Sequence, residues 1–164
     1  MDRLEREIID LLPRLRRLAR VLARDATDAD DLVQLTVERA LIRRGQWQSG
    51  TRLDSWMFRI MKNAWIDESR ARKRRAAVLS PEDAAAEIGS DGAGVMEVRM
   101  QARAVEDAMA RLPDDQRLAV ALVLVEGLSY KEAAEVLDVP QGTLTSRLGR
   151  GRAALLADLQ GEAA

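Results

Sequence analysis

Residues 127–152 constrain the fold more than any other segment, because they read as a helix, a three-residue corner and a second helix. Ser129 is a good N-cap. Glu132, three positions on, completes a capping box in which side chains and backbone amides satisfy one another. The first helix is therefore predicted to begin at Tyr130. Ala133, Ala134 and Leu137 give it a small apolar face that permits close approach, while Asp138 and Pro140 disfavour its continuation. From Gln141 onward, Leu144, Leu148 and Leu155 recur at helical spacing and are expected to face a core, which leaves Thr143, Ser146, Arg147 and Arg150 outward. Hydroxyl and guanidinium groups are donors suited to phosphates and base edges. Two short helices fixed at a steep angle are also a means of pushing one of them into the DNA major groove. The plainer alternative is an αα-hairpin with a solvated basic face.

Apolar residues make up 47 %, charged residues 32 % and aromatics 3 % of the 164 residues, a balance that suits Leu- and Ala-rich helices better than a β-sandwich or barrel. The expected fold class is all-α: two small helical domains joined by a flexible linker, the C-terminal one containing the helix-turn-helix. Cysteine and histidine are absent. That excludes disulfides, thiolate chemistry, imidazole bases and the usual zinc sets. Carboxylates are plentiful, but no pair lies in a recognisable pocket motif and no Gly-rich phosphate loop follows a strand. No catalytic residue, metal ligand or cofactor is expected. Met1 is followed at once by charged residues, and every apolar stretch is interrupted by Arg, Asp or Glu, so a cytoplasmic chain is expected.

Net charge is −1 and gives no sign of a nucleic-acid partner, but its distribution does. Residues 59–75 hold seven basic side chains against two acidic ones, a local net of +5. Asp25, Asp28, Asp30, Asp31 and Glu38 form an acidic stretch, and Glu82, Asp83, Glu87, Asp91 and Glu97 form another. Such segregation suggests separate surfaces for separate partners.

Along the chain, Leu4, Ile8, Leu11, Leu15, Leu18 and Leu22 keep helical spacing, with Pro13 as a kink or break inside the pattern. Thr27 or Asp28 is expected to cap the next helix, whose Leu32, Val33, Leu35, Val37, Ala40, Leu41 and Ile42 are apolar around much of its circumference. Residues 44–51 read as a loop. Leu53, Trp56, Met57, Ile60, Met61 and Ala64 then form one stripe of a third long helix, with Arg59, Lys62, Asn63, Ile66 and Arg70 on its other side. Residues 76–97, with Ser80-Pro81 and the glycines of 89–94, have linker chemistry. The domains expected are thus residues 1–75 and 98–160. The second contains a helix up to Arg111, a break at Leu112-Pro113 and the helix-turn-helix.

Taken in order, these segments resemble the extracytoplasmic-function (ECF) type of bacterial RNA polymerase sigma factor. Asp28-Ala-Asp-Asp-Leu-Val-Gln-Leu-Thr-Val-Glu-Arg-Ala40 is similar to that family's core-polymerase-binding helix. Leu53-Asp-Ser-Trp-Met-Phe-Arg-Ile-Met-Lys-Asn-Ala-Trp-Ile-Asp67 is similar to its promoter-melting helix. Leu112-Pro-Asp-Asp-Gln-Arg117, Leu128-Ser-Tyr-Lys-Glu-Ala-Ala134 and Gly142-Thr-Leu-Thr-Ser-Arg147 are similar to its C-terminal promoter-reading domain.

The resemblance implies a protein that is not an enzyme, that docks on the clamp and flap of the large polymerase subunits, and that reads promoter DNA without a small-molecule substrate. It carries minus-10 recognition and melting onto the first domain. Holding an unstacked base needs a pocket, polar groups for its edge and cations for the strand. Arg59, Lys62 and Asn63, with Arg70, Lys73 and Arg74 of the basic run, are the expected contacts there. Trp56 is expected in the core, while Trp47 and Trp65 either stack on a base or cover the bundle edge. Minus-35 recognition falls on Thr143, Thr145, Ser146, Arg147, Gly149 and Arg150, where Thr145 and Gly149 depart from the basic and bulky residues of many relatives. Core binding falls on Asp31, Gln34 and Leu35. An anti-sigma factor is the further partner implied. Two other classes compete: an autonomous helix-turn-helix regulator, for which no dimerisation helix is evident, and a sigma mimic, which has no need of DNA-facing cations.

Overall fold

The computed structural model describes residues 1–78 and 96–163. Most of the expected linker, residues 76–97, including Ser80-Pro81 and the glycines of 89–94, lies outside the described residues.

Helix α1 (Arg3–Leu22) opens on a capping box. Asp2 accepts from the Glu5 amide at 2.9 Å while Glu5 accepts from the Asp2 amide at 3.1 Å. Of the kink or break read at Pro13, the break does not occur: α1 is one helix that runs through it. Proline removes the amide that would serve the Ile9 carbonyl. Both residues are exposed, so water can take that bond, and buried Leu15, Leu18 and Leu22 hold the second half in place.

Helix α2 (Ala26–Ile42) is capped by Asp25 rather than by Thr27 or Asp28: the Asp25 carboxylate accepts from the Asp28 amide at 2.8 Å. Asp25 has the extended backbone that a cap requires, so the helix starts earlier than the expected caps allow. It buries Ala29, Leu32, Val33, Thr36 and Ala40, and the Thr36 hydroxyl donates to the Leu32 carbonyl at 2.7 Å. Leu41 and Ile42 stay exposed at its end. The segment expected as a loop begins with a 3-10 turn, Arg44–Gln46.

Helix α3 (Leu53–Val78) buries the expected stripe except Trp56, which is only partly buried against the core. Phe58, Lys62 and Trp65 are buried as well, because α3 is flanked by α1 and α2 on one side and by the C-terminal helices on the other.

The second module comprises α4 (Met96–Arg111), α5 (Asp114–Val120), a π-helical segment (Ala121–Val125), α6 (Tyr130–Leu137) and α7 (Gln141–Ala163). Pro113 precedes α5, where its missing amide costs no helical bond. The predicted capping box starts α6: Ser129 accepts from the Glu132 amide at 3.1 Å, and Glu132 accepts from the Ser129 amide at 3.3 Å. Asp138 then turns left-handed (φ 56) and ends the helix. Leu144 and Leu148 are buried and Leu155 is partly buried. Gly151 lets α7 cross close to Val120 and Gln116 of α5. Buried residues of both modules belong to one hydrophobic cluster. Among the described residues there are seven α-helices and no strand.

Candidate nucleic-acid interface

The expected minus-35 side chains lie on the face of α7 away from Leu144 and Leu148. Thr145, Ser146, Gly149 and Arg150 are exposed, and Thr143 and Arg147 are half-buried. The Thr145 hydroxyl donates to the Gln141 carbonyl at 2.9 Å, which ties it to its own helix. Arg147 lies 3.5 Å from Asp115.

On α3, Arg59, Asn63, Arg70, Lys73 and Arg74 are exposed, but Lys62 is only 8 % exposed, contrary to its expected outward position. The physical reason is its surroundings, since the C-terminal module covers this part of α3. Burial and the adjacent Arg59 charge pull the Lys62 ammonium below its ordinary value, and Asp138 offsets part of that effect. Trp65 is 7 % exposed and lies under the Arg117 guanidinium, 5.6 Å from its ring centroid, so it covers the bundle. Trp47 is partly buried.

The two candidate faces oppose each other. Lys62, Arg70 and Lys73 of α3 line a cleft of about 250 Å³ together with Asp114, Asp115 and Arg147 of the second module. Lys73 lies 3.4 Å from Asp114, and Arg59 donates to the Glu135 carbonyl. The basic run is not uniformly available. Arg72 pairs with Asp28 at 2.6 Å and Arg75 with Glu68 at 3.3 Å, whereas Arg70 and Arg74 have no ion pair among the described residues. Acidic and basic stretches that look segregated in the sequence thus partly neutralise each other.

The candidate polymerase-binding residues share one side of α2. Asp31 and Gln34 are exposed and Leu35 is half-buried, with Gln34 donating to Glu38 at 3.3 Å. No group of three or more potential metal ligands occurs among the described residues, and none of their helices is long and apolar enough to cross a membrane.

Comparison with known proteins joins these observations. Residues 8–62 match the family described as the sigma2 domain of PhyR, and residues 102–155 match sigma-70, region 4. The ECF RNA polymerase sigma factor EcfG of Rhodopseudomonas palustris is 36 % identical over 156 residues, covering 95 % of this chain and 84 % of the relative. The chain belongs to the ECF RNA polymerase sigma factors. Its similarity to SigM of Mycobacterium tuberculosis is also 36 %, over 86 % of this sigma factor and 69 % of the relative. The Bartonella quintana sigma factor RpoE, solved in complex with the anti-sigma factor NepR, superposes with a TM-score of 0.77 at 29 % identity and 96 % coverage of both chains.

The contacts that join the modules of this sigma factor carry little local signature in the sequence. Glu126 is clasped by Arg14 and Arg17, and Arg52 pairs with both Asp54 and Glu132. Arg117 donates to the Leu22 carbonyl at 3.3 Å. The signal available was weak: an acid directly after the apolar run 118–125, and arginines on the flank of an amphipathic helix.

Proposed function

We propose that this sigma factor docks on RNA polymerase core and directs initiation at a specific promoter set under the control of an anti-sigma factor. The observation that carries the reading is the ordered pair of sigma regions, residues 8–62 and 102–155, within similarity to an ECF sigma factor over 95 % of the chain. We assign residues 1–75 to core binding and the minus-10 element and residues 98–160 to the minus-35 element, joined by residues 76–97.

In this reading Asp31, Gln34 and Leu35 contact the polymerase clamp. Arg59, Lys62, Asn63, Arg70, Lys73 and Arg74 hold the minus-10 strand by its phosphates and base edges. Thr143, Thr145, Ser146, Arg147, Gly149 and Arg150 meet the minus-35 duplex, Arg147 and Arg150 as the strongest donors. The chain itself catalyses no reaction and works where the polymerase is, in the cytoplasm. The Bartonella relative's complex with an anti-sigma factor supports a regulator of that class here.

Run-off transcription with purified core polymerase and a promoter library tests the proposal. Initiation at a defined promoter class is expected. Binding to a regulator without any initiation would instead identify a sigma mimic, and tight operator binding without polymerase an autonomous regulator. Arg147→Glu with Arg150→Glu should abolish minus-35 recognition while core binding, read by co-purification, is kept. Equal loss of both would point to misfolding rather than lost readout.

A further inference from the structure

Lys62 is a cation kept from water without a close counter-charge. Its residue is 8 % exposed, yet among the described residues no hydrogen bond or ion pair holds its ammonium. Asp138 offsets only part of the effect of burial and of the neighbouring Arg59 charge. An ammonium placed this way is strongly disfavoured unless an anion meets it. Lys62, Ile66, Arg70 and Lys73 fall at i, i+4, i+8 and i+11 of α3, which puts them on one face of the helix. That face is one wall of the cleft of about 250 Å³, and Asp114, Asp115 and Arg147 stand on the other. Both carboxylates are already matched, Asp114 by Lys73 at 3.4 Å and Asp115 by Arg147 at 3.5 Å. Arg70, like Lys62, has no ion pair among the described residues. Four cations against two carboxylates leave the cleft with a surplus of +2, and Lys62 and Arg70 supply it. Ile66, Leu118 and Leu137 complete much of the lining, so charge placed there is poorly screened.

We propose that this cleft is a binding site for the diphosphate group of a small molecule, held between Lys62 and Arg70 and flanked by Lys73 and Arg147. Lys62 and Arg70 stand about 12 Å apart along α3, a span that two long side chains close on a diphosphate more readily than on one carboxylate. A carboxylate would also cancel only half of the surplus charge. A diphosphate cancels all of it, and its oxygens offer acceptors in several directions, which suits a point-like ammonium on one side and a planar guanidinium fork on the other. The volume lies at the lower end for ligand pockets and excludes a nucleic-acid duplex. The same four cations are proposed promoter contacts, but the site rests on their placement and charge alone.

Isothermal titration of the full-length chain with inorganic pyrophosphate, adenosine diphosphate and orthophosphate, at matched ionic strength and without divalent metal, tests the site. Pyrophosphate or adenosine diphosphate should bind saturably at one per chain and raise the melting temperature with concentration. Whichever of the two binds more tightly tells an inorganic source from a nucleotide, and either supports the site. Lys62→Met and Arg70→Gln should each weaken binding by about tenfold or more. Arg75→Gln removes one positive charge from the same helix at an exposed position outside the cleft, and should change binding by no more than about twofold. No saturation at millimolar ligand, or undiminished binding in Lys62→Met and Arg70→Gln, would overturn the site. So would equal weakening by all three substitutions, which would mean general attraction to a basic helix. Orthophosphate bound as tightly as pyrophosphate would overturn the diphosphate assignment. If Lys62→Met loses helix content, Arg70→Gln decides, because Arg70 is exposed and its loss leaves the core intact.

Discussion

Gly149 and Gly151 sit two positions apart on α7 and answer to different forces. A Cβ at position 151 would come within 2.9 Å of Val120 Cγ2 and 3.2 Å of the Gln116 carbonyl oxygen. Gly151→Ala should therefore push α5 and α7 apart and lower stability by about 1–3 kcal/mol in chemical denaturation. Nothing lies within 4 Å of the corresponding point at Gly149. There the same change should raise stability by up to about 1 kcal/mol through helix propensity, and any accompanying loss of promoter affinity reports on the DNA contact alone. Asp54 makes an acid-range prediction. Burial alone would push its carboxyl up, but hydrogen bonds from Arg52, Arg14 and the Ser55 amide, with the charge of Arg52, outweigh burial and hold it below the ordinary 3.8. A depressed carboxyl adds stability that is present above the unfolded value and is lost as pH falls toward the folded one. Unfolding free energy should therefore drop below about pH 4. Asp54→Asn should flatten that limb and cost about 1–3 kcal/mol at neutral pH. Superimposable acid limbs for the two proteins would assign the drop to other carboxylates.

At the scale of elements, α3 has two tasks that conflict at Lys62. The helix supplies the core stripe Met57, Ile60, Met61 and Ala64, and it also carries the cations proposed for the minus-10 strand. Burial and Arg59 disfavour the charged form of Lys62. Folding stability is therefore reduced at neutral pH and recovers as pH rises through the depressed folded value toward 10.5. Lys62→Met should raise the melting temperature and weaken promoter binding together, a trade of stability against function. A lower melting temperature would mean that the ammonium has a compensating partner. The conflict was hidden in the sequence, where Lys62 follows the polar side of a 3.6-residue pattern. The pattern assumes one buried face, and α3 is covered on two. By contrast α6 and the start of α7 were legible almost to the residue, because Ser129, Glu132, Asp138 and Pro140 act through the backbone next to them. Pro13 left one helix or a helix pair open, and tertiary packing of Leu15, Leu18 and Leu22, which outweighs the missing bond, decides for one helix.

For the whole molecule, the order of the modules is legible in the sequence and their arrangement is not. Contacts such as Arg14 with Glu126, 112 residues apart, leave no periodicity or local motif to read. What they imply is energetic coupling. The buried cluster that starts at Leu4 continues through Met57 and Trp65 into Leu118 and Leu137, so separating the modules exposes apolar surface as well as the Glu126 carboxylate. Domains tied only by a tether unfold independently, whereas domains sharing a core and a buried ion pair unfold as one unit. The wild-type chain should show a single calorimetric transition whose van't Hoff and calorimetric enthalpies agree. Arg14→Gln/Arg17→Gln should resolve it into two transitions, or into one broadened transition with a lower van't Hoff enthalpy, while total helix content at low temperature is unchanged. Two well-separated transitions in the unaltered chain would show instead that the contacts between modules contribute little free energy, and that the modules reach promoter and polymerase as independent bodies.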